Sequence, residues 1–245
     1  MSPSSGTRTQ VSGITKGKIQ YRNLREAVNM THEDATTKSI GFEKNRLETL
    51  TDGIFAFSMT LLVTGLNIPQ SLDELTTEHV YALLVNLSPA FIHFLIAFFI
   101  IAWFWTIHHV QFHKILYVNR KLLWLNMISM AAIVLFPFST SLVADFPTHP
   151  LAEIIFQMNL MLAGLLFYCQ FWYASGHELI DPGKHNIDDF IEQAETLIIP
   201  VLSFTAIVMT LVKVPWMSLI YCLAPPILFL LHYKHSRKTG APAYS

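Results

Sequence analysis

Apolar runs long enough to cross a bilayer recur along most of this chain, divided by short polar breaks. A helix rises about 1.5 Å per residue, so a hydrocarbon core of about 30 Å takes about 20 apolar residues. Runs of that order fall at 46–67, 79–109, 122–143, 151–174, 190–212 and 216–233, and they predict six membrane helices. The second run exceeds one bilayer, yet Pro89 divides it too unequally for two crossings. It therefore reads as one helix, bent near Pro89 and projecting beyond the membrane. Pro137 is expected to kink the third run rather than end it, and Pro200 lies inside the fifth. Residues 145–150 read as a tight outer turn and 176–189 as a polar loop.

The fold class is all-α, in three parts. Residues 1–42, rich in Ser, Thr, Gly, Lys and Arg, read as a disordered cytoplasmic tail, with faint helical periodicity around 19–30. Residues 43–234 form the membrane domain and 235–245 a basic cytoplasmic tail. At 52% hydrophobic and 13% charged residues, the chain is too apolar for a soluble domain of its length. Loop charge sets the orientation. Lys44, Arg46, Lys114, Arg120, Lys121, Lys184 and the cluster from Lys234 to Lys238 share one side. Asp73, Glu74, Glu78 and Asp145 face the other, with only Lys213 among them, so both termini are expected in the cytoplasm. A net charge of -1 gives no pointer to nucleic acid. Cys169 and Cys222 lie in apolar runs and read as packing residues. Most Trp and Tyr residues fall near run ends, where amphipathic rings settle.

The first run carries the candidate chemistry. It begins with Arg46, Glu48 and Asp52, then stays uncharged from Gly53 to Leu66. Gly53, Ala56, Ser58, Thr60, Thr64 and Gly65 interrupt its large residues, which favours close helix contact or a wet face. Phe57, Thr60, Leu61 and Thr64 recur at i, i+3, i+4 and i+7, a single stripe that suits core packing or an ion path. Toward the same cytoplasmic end lie Thr51, then Trp105, His108, His109 and His113, then Arg120, Trp124 and Asn126. Ionisable groups at membrane depth cost at least about 2.5 kcal/mol unless paired, so these residues should find one another across helices. Asp52 is expected to bond His108, His109, Trp124 or Asn126. The cluster reads first as a network that positions helices, and second as a proton relay built on Asp52 and the His108/His109 pair. Metal binding is disfavoured, because adjacent histidines point about 100° apart on a helix and no ligand set is completed. Glu153, Glu192 and Glu195 read as solvated charges near interfaces. No phosphate-cradling loop, Gly-x-Ser-x-Gly or His-Glu-x-x-His is present, so the sequence supports neither an enzyme nor a cofactor. No helix bears repeated Arg, and no Thr-Val-Gly-Tyr-Gly filter lies between the fifth and sixth runs.

Arg46-x-x-x-Leu50-Thr51-Asp52-Gly53, followed by Phe55-Ala56 and Thr60-Leu61-Leu62-Val63, resembles the Arg-x-x-x-Phe-Ser-Asp signature of the transmembrane protein 175 family of endolysosomal potassium channels. Trp105-x-x-His108-His109, Leu123-Trp124-x-Asn126 and Phe136-Pro137-Phe138-Ser139-Thr140 resemble that family's second and third helices. The resemblance implies a six-helix subunit in a homotetramer, with the first helix lining a central pore in a prokaryotic plasma membrane. It implies a potassium-permeable leak channel, with the constriction at Phe57 and selectivity at Thr60, Leu61 and Thr64. Arg46, Thr51, Asp52, Trp105, His108, His109, Trp124 and Asn126 would hold the pore helix. A proton channel or proton-coupled transporter using Asp52 and the histidines is the alternative. Two departures stand out. Leu50 and Thr51 replace the signature Phe and Ser, and Phe57 is bulkier than the family's Ile or Leu.

Overall fold

The computed structural model describes residues 44–66, 76–147, 149–184, 189–214 and 217–239. The expectations for the tail 1–42, for Asp73 and Glu74, and for the side chains of the basic tail lie outside the described residues. What is described is mostly helix joined by turns and short irregular links, with an isolated bridge between Ile115 and Ile180. Helix α1, Lys44–Leu61, tightens into a 3-10 turn at Leu62–Gly65. There follow α2 at Thr77–Lys114, α3 at Arg120–Val134, α4 at Phe136–Asp145, α5 at Pro150–Gly176 and α6 at Asp189–Leu211. A 3-10 segment at Met217–Leu223 then leads into α7, Ala224–Thr239.

Five stretches are long and apolar enough to cross a membrane: Lys44–Gly65, Val80–Lys114, Arg120–Asp145, Pro150–Gly176 and Gln193–Leu211. The sixth, Met217–Leu231, is shorter. It opens as a 3-10 segment and becomes α-helical only at Ala224, where Pro225 and Pro226 follow. Proline lacks an amide proton and suits the first helical turn, so the pair starts a helix more readily than it continues one. The long second run is a single helix across Pro89, as its length predicts. The third span divides at Leu135, and Pro137 opens the second piece. The Leu135 amide still donates to the Ala131 and Ala132 carbonyls, and the Ser139 amide to the Leu135 carbonyl, so the backbone ladder carries across the joint.

Two apolar clusters hold the bundle. The larger runs through its middle and includes Phe55, Phe104, Phe136, Phe156 and Phe167. The smaller joins Leu47, Phe112, Ile115, Leu122 and Phe171, bringing the start of α1 to the end of α2, the start of α3 and the end of α5. That shared end is the one the sequence assigns to the cytoplasm. There the Leu116 amide donates to the Leu179 carbonyl at 2.9 Å and the Asp181 amide to the Lys114 carbonyl at 3.0 Å, joining residues 179–181 to the chain at the end of α2. Asn119 caps α3 by accepting from the Leu122 amide at 2.8 Å.

Helices α5 and α6 are in close contact at Gly164. A Cβ added at Gly164 would come within 2.5 Å of Pro200 Cγ and 2.6 Å of Cδ, so the proline ring occupies the space that glycine leaves. Polar pairs join helices elsewhere: Gln157 donates to Thr210 at 3.0 Å, Asn159 to Ser139 at 3.3 Å and Tyr221 to Ser203 at 3.2 Å. In a medium without water, such bonds supply part of the helix association that burial cannot. Cys169 and Cys222 are both exposed, contrary to the packing role expected of them. An apolar run in a membrane protein has a lipid-compatible outer face, so apolar neighbours in sequence do not imply burial.

Candidate functional site: the two faces of the first helix

Helix α1 presents two faces of opposite character. Leu47, Thr51, Phe55, Ser58 and Leu62 are buried against the bundle. Phe55 anchors this face, 6.1 Å from the His108 ring and 6.2 Å from the Phe167 ring between centroids. On the other face Arg46, Leu50, Gly53, Phe57, Thr60 and Thr64 are all exposed. Their spacings alternate four, three, four, three and four. That is the spacing of a helix seam built to meet other helices. Phe57 is 62% exposed although apolar, and a Cβ on Gly53 would meet nothing within 4 Å. Leu61 lies beside this seam, half-buried.

The hydroxyls on the seam are oriented by their own backbone. Thr60 Oγ1 donates to the Phe57 carbonyl at 2.8 Å and Thr64 Oγ1 to the Leu61 carbonyl at 2.7 Å. A hydroxyl whose proton is committed to the backbone keeps oxygen lone pairs for an outside partner. That is the donor chemistry a dehydrated monovalent cation needs.

Behind this face, three predicted network residues meet in the protein interior. His108 Nε2 lies 3.0 Å from Asn126 Oδ1, and Asn126 Nδ2 donates to Thr51 Oγ1 at 3.0 Å. All three are buried, and they tie α2, α3 and α1 together. Asp52 differs from expectation: its Oδ1 accepts from the Trp105 indole at 2.9 Å, an exposed contact, rather than from His108, His109, Trp124 or Asn126. The reason is helical phase. Thr51 takes the buried position, so its neighbour Asp52 is turned outward, toward the equally outward Trp105. His109 stacks on Trp105, with ring centroids 5.9 Å apart. Asp52 and His108 are thus held by separate partners, and no hydrogen bond joins them into a relay among the described residues. Trp124 is 58% exposed and stands outside the buried network. Arg46 is exposed, with no bonded partner among the described residues. Leu50, which replaces the signature aromatic, is also exposed, so that change alters the seam rather than the core.

A second polar cluster, at the opposite end of the bundle, escapes the sequence reading. Glu153 is buried, not a solvated interfacial charge. Its Oε1 lies 3.2 Å from His93 Nε2, and Ser218 donates to its Oε2 at 2.9 Å. His93 Nδ1 lies 2.9 Å from the Pro89 carbonyl, an acceptor, and so must carry a proton. Nε2 also lies 3.1 Å from Ser218 Oγ, so imidazole, carboxylate and hydroxyl form one closed cluster. The signal for this cluster was present in the sequence: an ionisable residue inside an otherwise apolar run is a site by default, and both His93 and Glu153 are of that kind.

The geometry defines a class of protein: a polytopic helical membrane protein whose first helix is fixed on one side and left as an open, hydroxyl-bearing seam on the other. Known proteins resemble the chain in sequence and fold. The family profile described as endosomal/lysosomal potassium channel TMEM175 matches residues 46–137, from the seam through Pro137. A potassium channel of Chamaesiphon minutus is 28% identical over 195 residues, covering 77% of this chain and 94% of the relative. One of Streptomyces collinus is 26% identical over 147 residues, covering 57% and 69%. Among solved structures, a lysosomal potassium-selective channel TMEM175 homolog from Chamaesiphon minutus superposes with a TM-score of 0.61. It shares 22% identity, covering 80% of this chain and 98% of that one. A point variant of the potassium channel MtTMEM175, solved in complex with a nanobody fusion protein, superposes at 0.53, with 21% identity over 80% of this chain and 95% of that one. Over residues 46–137 the chain matches the TMEM175 profile, and it has the fold of the solved TMEM175 homologs.

Proposed function

We propose that this chain is one subunit of a potassium-permeable leak channel, a homotetramer in a prokaryotic plasma membrane with both termini in the cytoplasm. Four copies of α1 line the pore, Phe57 forms the constriction, and Thr60, Leu61 and Thr64 follow it toward the outside. The observation that carries this reading is the exposed seam of α1, an alternating three- and four-residue repeat in a helix otherwise locked into the bundle. A heptad-like seam favours assembly of like helices about a common axis. The relatives' description as potassium channels supports the choice of ion.

From Phe57 to Thr64 the helix advances about 10 Å, so the narrow zone is short relative to a bilayer core of about 30 Å. Potassium reaching four Phe57 rings sheds part of its water, and the loss is offset by ring faces and then by the Thr60 and Thr64 oxygens. Arg46, Thr51, Asp52, Trp105, His108, His109, Trp124 and Asn126 serve the pore helix as its support and its cytoplasmic mouth.

Potassium and sodium flux into proteoliposomes tests the reading. Phe57→Ala widens the constriction and raises flux of both ions. Thr60→Ala and Thr64→Ala lower the preference for potassium. If all three variants elute like the native protein and show its flux and selectivity, the pore lies elsewhere.

A further inference from the structure

Two cavities meet at the outer end of the bundle. The first, about 760 Å³, is lined by the His93–Glu153–Ser218 cluster and by Lys213. The second, about 310 Å³, is an apolar slot descending α2 from Ile92 to Trp103, with Ile199 of α6 and Cys222 in its wall. Ile92 and Leu219 belong to both linings, so a single molecule can occupy the two together.

We propose that the pair is a binding site for one glycerophospholipid of the outer leaflet, with an acyl chain in the slot and the phosphate at Lys213. Length supports this. From Ile92 to Trp103 the helix advances about 16 Å, close to half of a hydrocarbon core of about 30 Å, the depth of one leaflet. Charge supports it as well. Lys213 stands at the turn closing α6, in the left-handed region at φ 60, its amide donating to the Thr210 carbonyl at 3.0 Å. The Glu153 carboxylate is engaged by His93 at 3.2 Å and by Ser218 at 2.9 Å, so it is not left bare toward an anionic phosphate. Helix α1 packs on α2, α3 and α4, whereas the slot is walled by α2, α6, the 3-10 segment and the start of α7. With α1 at the centre of the proposed assembly, on which this placement rests, the slot opens toward lipid rather than toward another subunit.

Native mass spectrometry of the purified full chain, exchanged into detergent and titrated with dioleoylphosphatidylglycerol or dioleoylglycerol, tests the site. The expected result is one retained phospholipid per subunit, with at least about tenfold weaker retention of the phosphate-free diacylglycerol, equivalent to about 1.4 kcal/mol. Leu219→Trp, which fills the junction between the cavities, abolishes retention, and Lys213→Gln removes the preference for phosphate. As a check independent of those variants, Cys222 in a Cys169→Ser background should react more slowly with N-ethylmaleimide when phospholipid is added at constant detergent. Equal retention of the two lipids, retention unchanged by Leu219→Trp, or a Cys222 rate indifferent to phospholipid would each overturn the proposal. None of these readouts uses ion flux. A conducting protein that retains no lipid sinks this inference alone, and a lipid-loaded protein without flux sinks only the channel reading.

Discussion

Replacing Asn126 with leucine probes how firmly the seam of α1 is held. Asn126 is fully buried and joins three helices, accepting from His108 of α2 and donating to Thr51 of α1, both at 3.0 Å. Leucine has the same branched skeleton in a larger volume, so the substitution removes two hydrogen bonds without opening a cavity. Interhelical hydrogen bonds in membrane proteins average about 0.6 kcal/mol and reach about 1.7, which puts two of them at about 1–3 kcal/mol. This site belongs toward the upper end, because the His108 N–H and the Thr51 oxygen are left without partners where water does not reach. For a chain of this size 1 kcal/mol moves an unfolding midpoint by about 2–4 °C, so Asn126→Leu should unfold about 3–10 °C below the native protein. Trp105→Phe is the comparison. It removes the exposed indole bond to Asp52 at 2.9 Å but keeps the ring, and water can take over the carboxylate, so its shift should be less than half as large. The assay is thermal unfolding in detergent followed by intrinsic fluorescence, with His108→Gln and the Asn126→Leu/His108→Gln double variant completing a cycle. Because the two residues share one bond, the double variant should lose less than the sum of the singles. An Asn126→Leu protein that unfolds at or above the native temperature, or a strictly additive cycle, would refute the network as the clamp on α1.

Two further outcomes follow from the packing. Gly164→Ala forces a methyl to within 2.5 Å of the rigid Pro200 ring, so α5 and α6 must separate at a cost of about 1–3 kcal/mol. Thermal unfolding reads this directly, and an unchanged midpoint would mean that the helices are not in such close contact. Glu153→Leu leaves His93 and Ser218 buried without their shared acceptor and should destabilise by about 3–5 kcal/mol, while the His93→Leu/Glu153→Leu pair recovers most of that loss. A double variant no more stable than Glu153→Leu alone would show that the cluster contributes through packing, not through its paired charge.

The parts of this molecule legible in the sequence are those governed by length and phase. Run length gives the long second helix across Pro89 and the five stretches capable of crossing a bilayer. Motif spacing brings Thr51, His108 and Asn126 to one cluster before any coordinates are known. What stays illegible depends on which side of a helix faces the protein. Asp52 and Thr51 are adjacent, yet one lies outside with Trp105 and the other inside with Asn126, a difference of one helical step that the motif does not resolve. Glu153 lies one turn inside the start of α5, near enough to the end to read as solvated. Its burial comes from Ser218 and His93, 65 and 60 residues away in sequence. The fit of Gly164 to Pro200 is likewise a meeting of two helices that neither run encodes alone.

In the proposed channel, holding and conduction make opposite demands on α1, and its two faces divide them. The inward face must be specific, so it carries Phe55 among aromatic rings and a hydrogen-bonded Thr51 that accepts one geometry. The outward face must leave room and offer oxygen, so it carries Gly53 with open space beside it and threonines whose protons are spent on their own helix. Arg46 and Asp52 are exposed near the start of α1, where water can screen them, and the run from Gly53 to Leu66 that follows is uncharged. A change on the inward face should therefore alter stability first and flux only through loss of protein. A change at Phe57, Thr60 or Thr64 should alter flux or selectivity at nearly unchanged stability, because these side chains touch little within their own subunit. Measuring both quantities on the same variants separates the clamp from the path. The assignment of faces fails if Phe57→Ala destabilises the subunit as much as Asn126→Leu does.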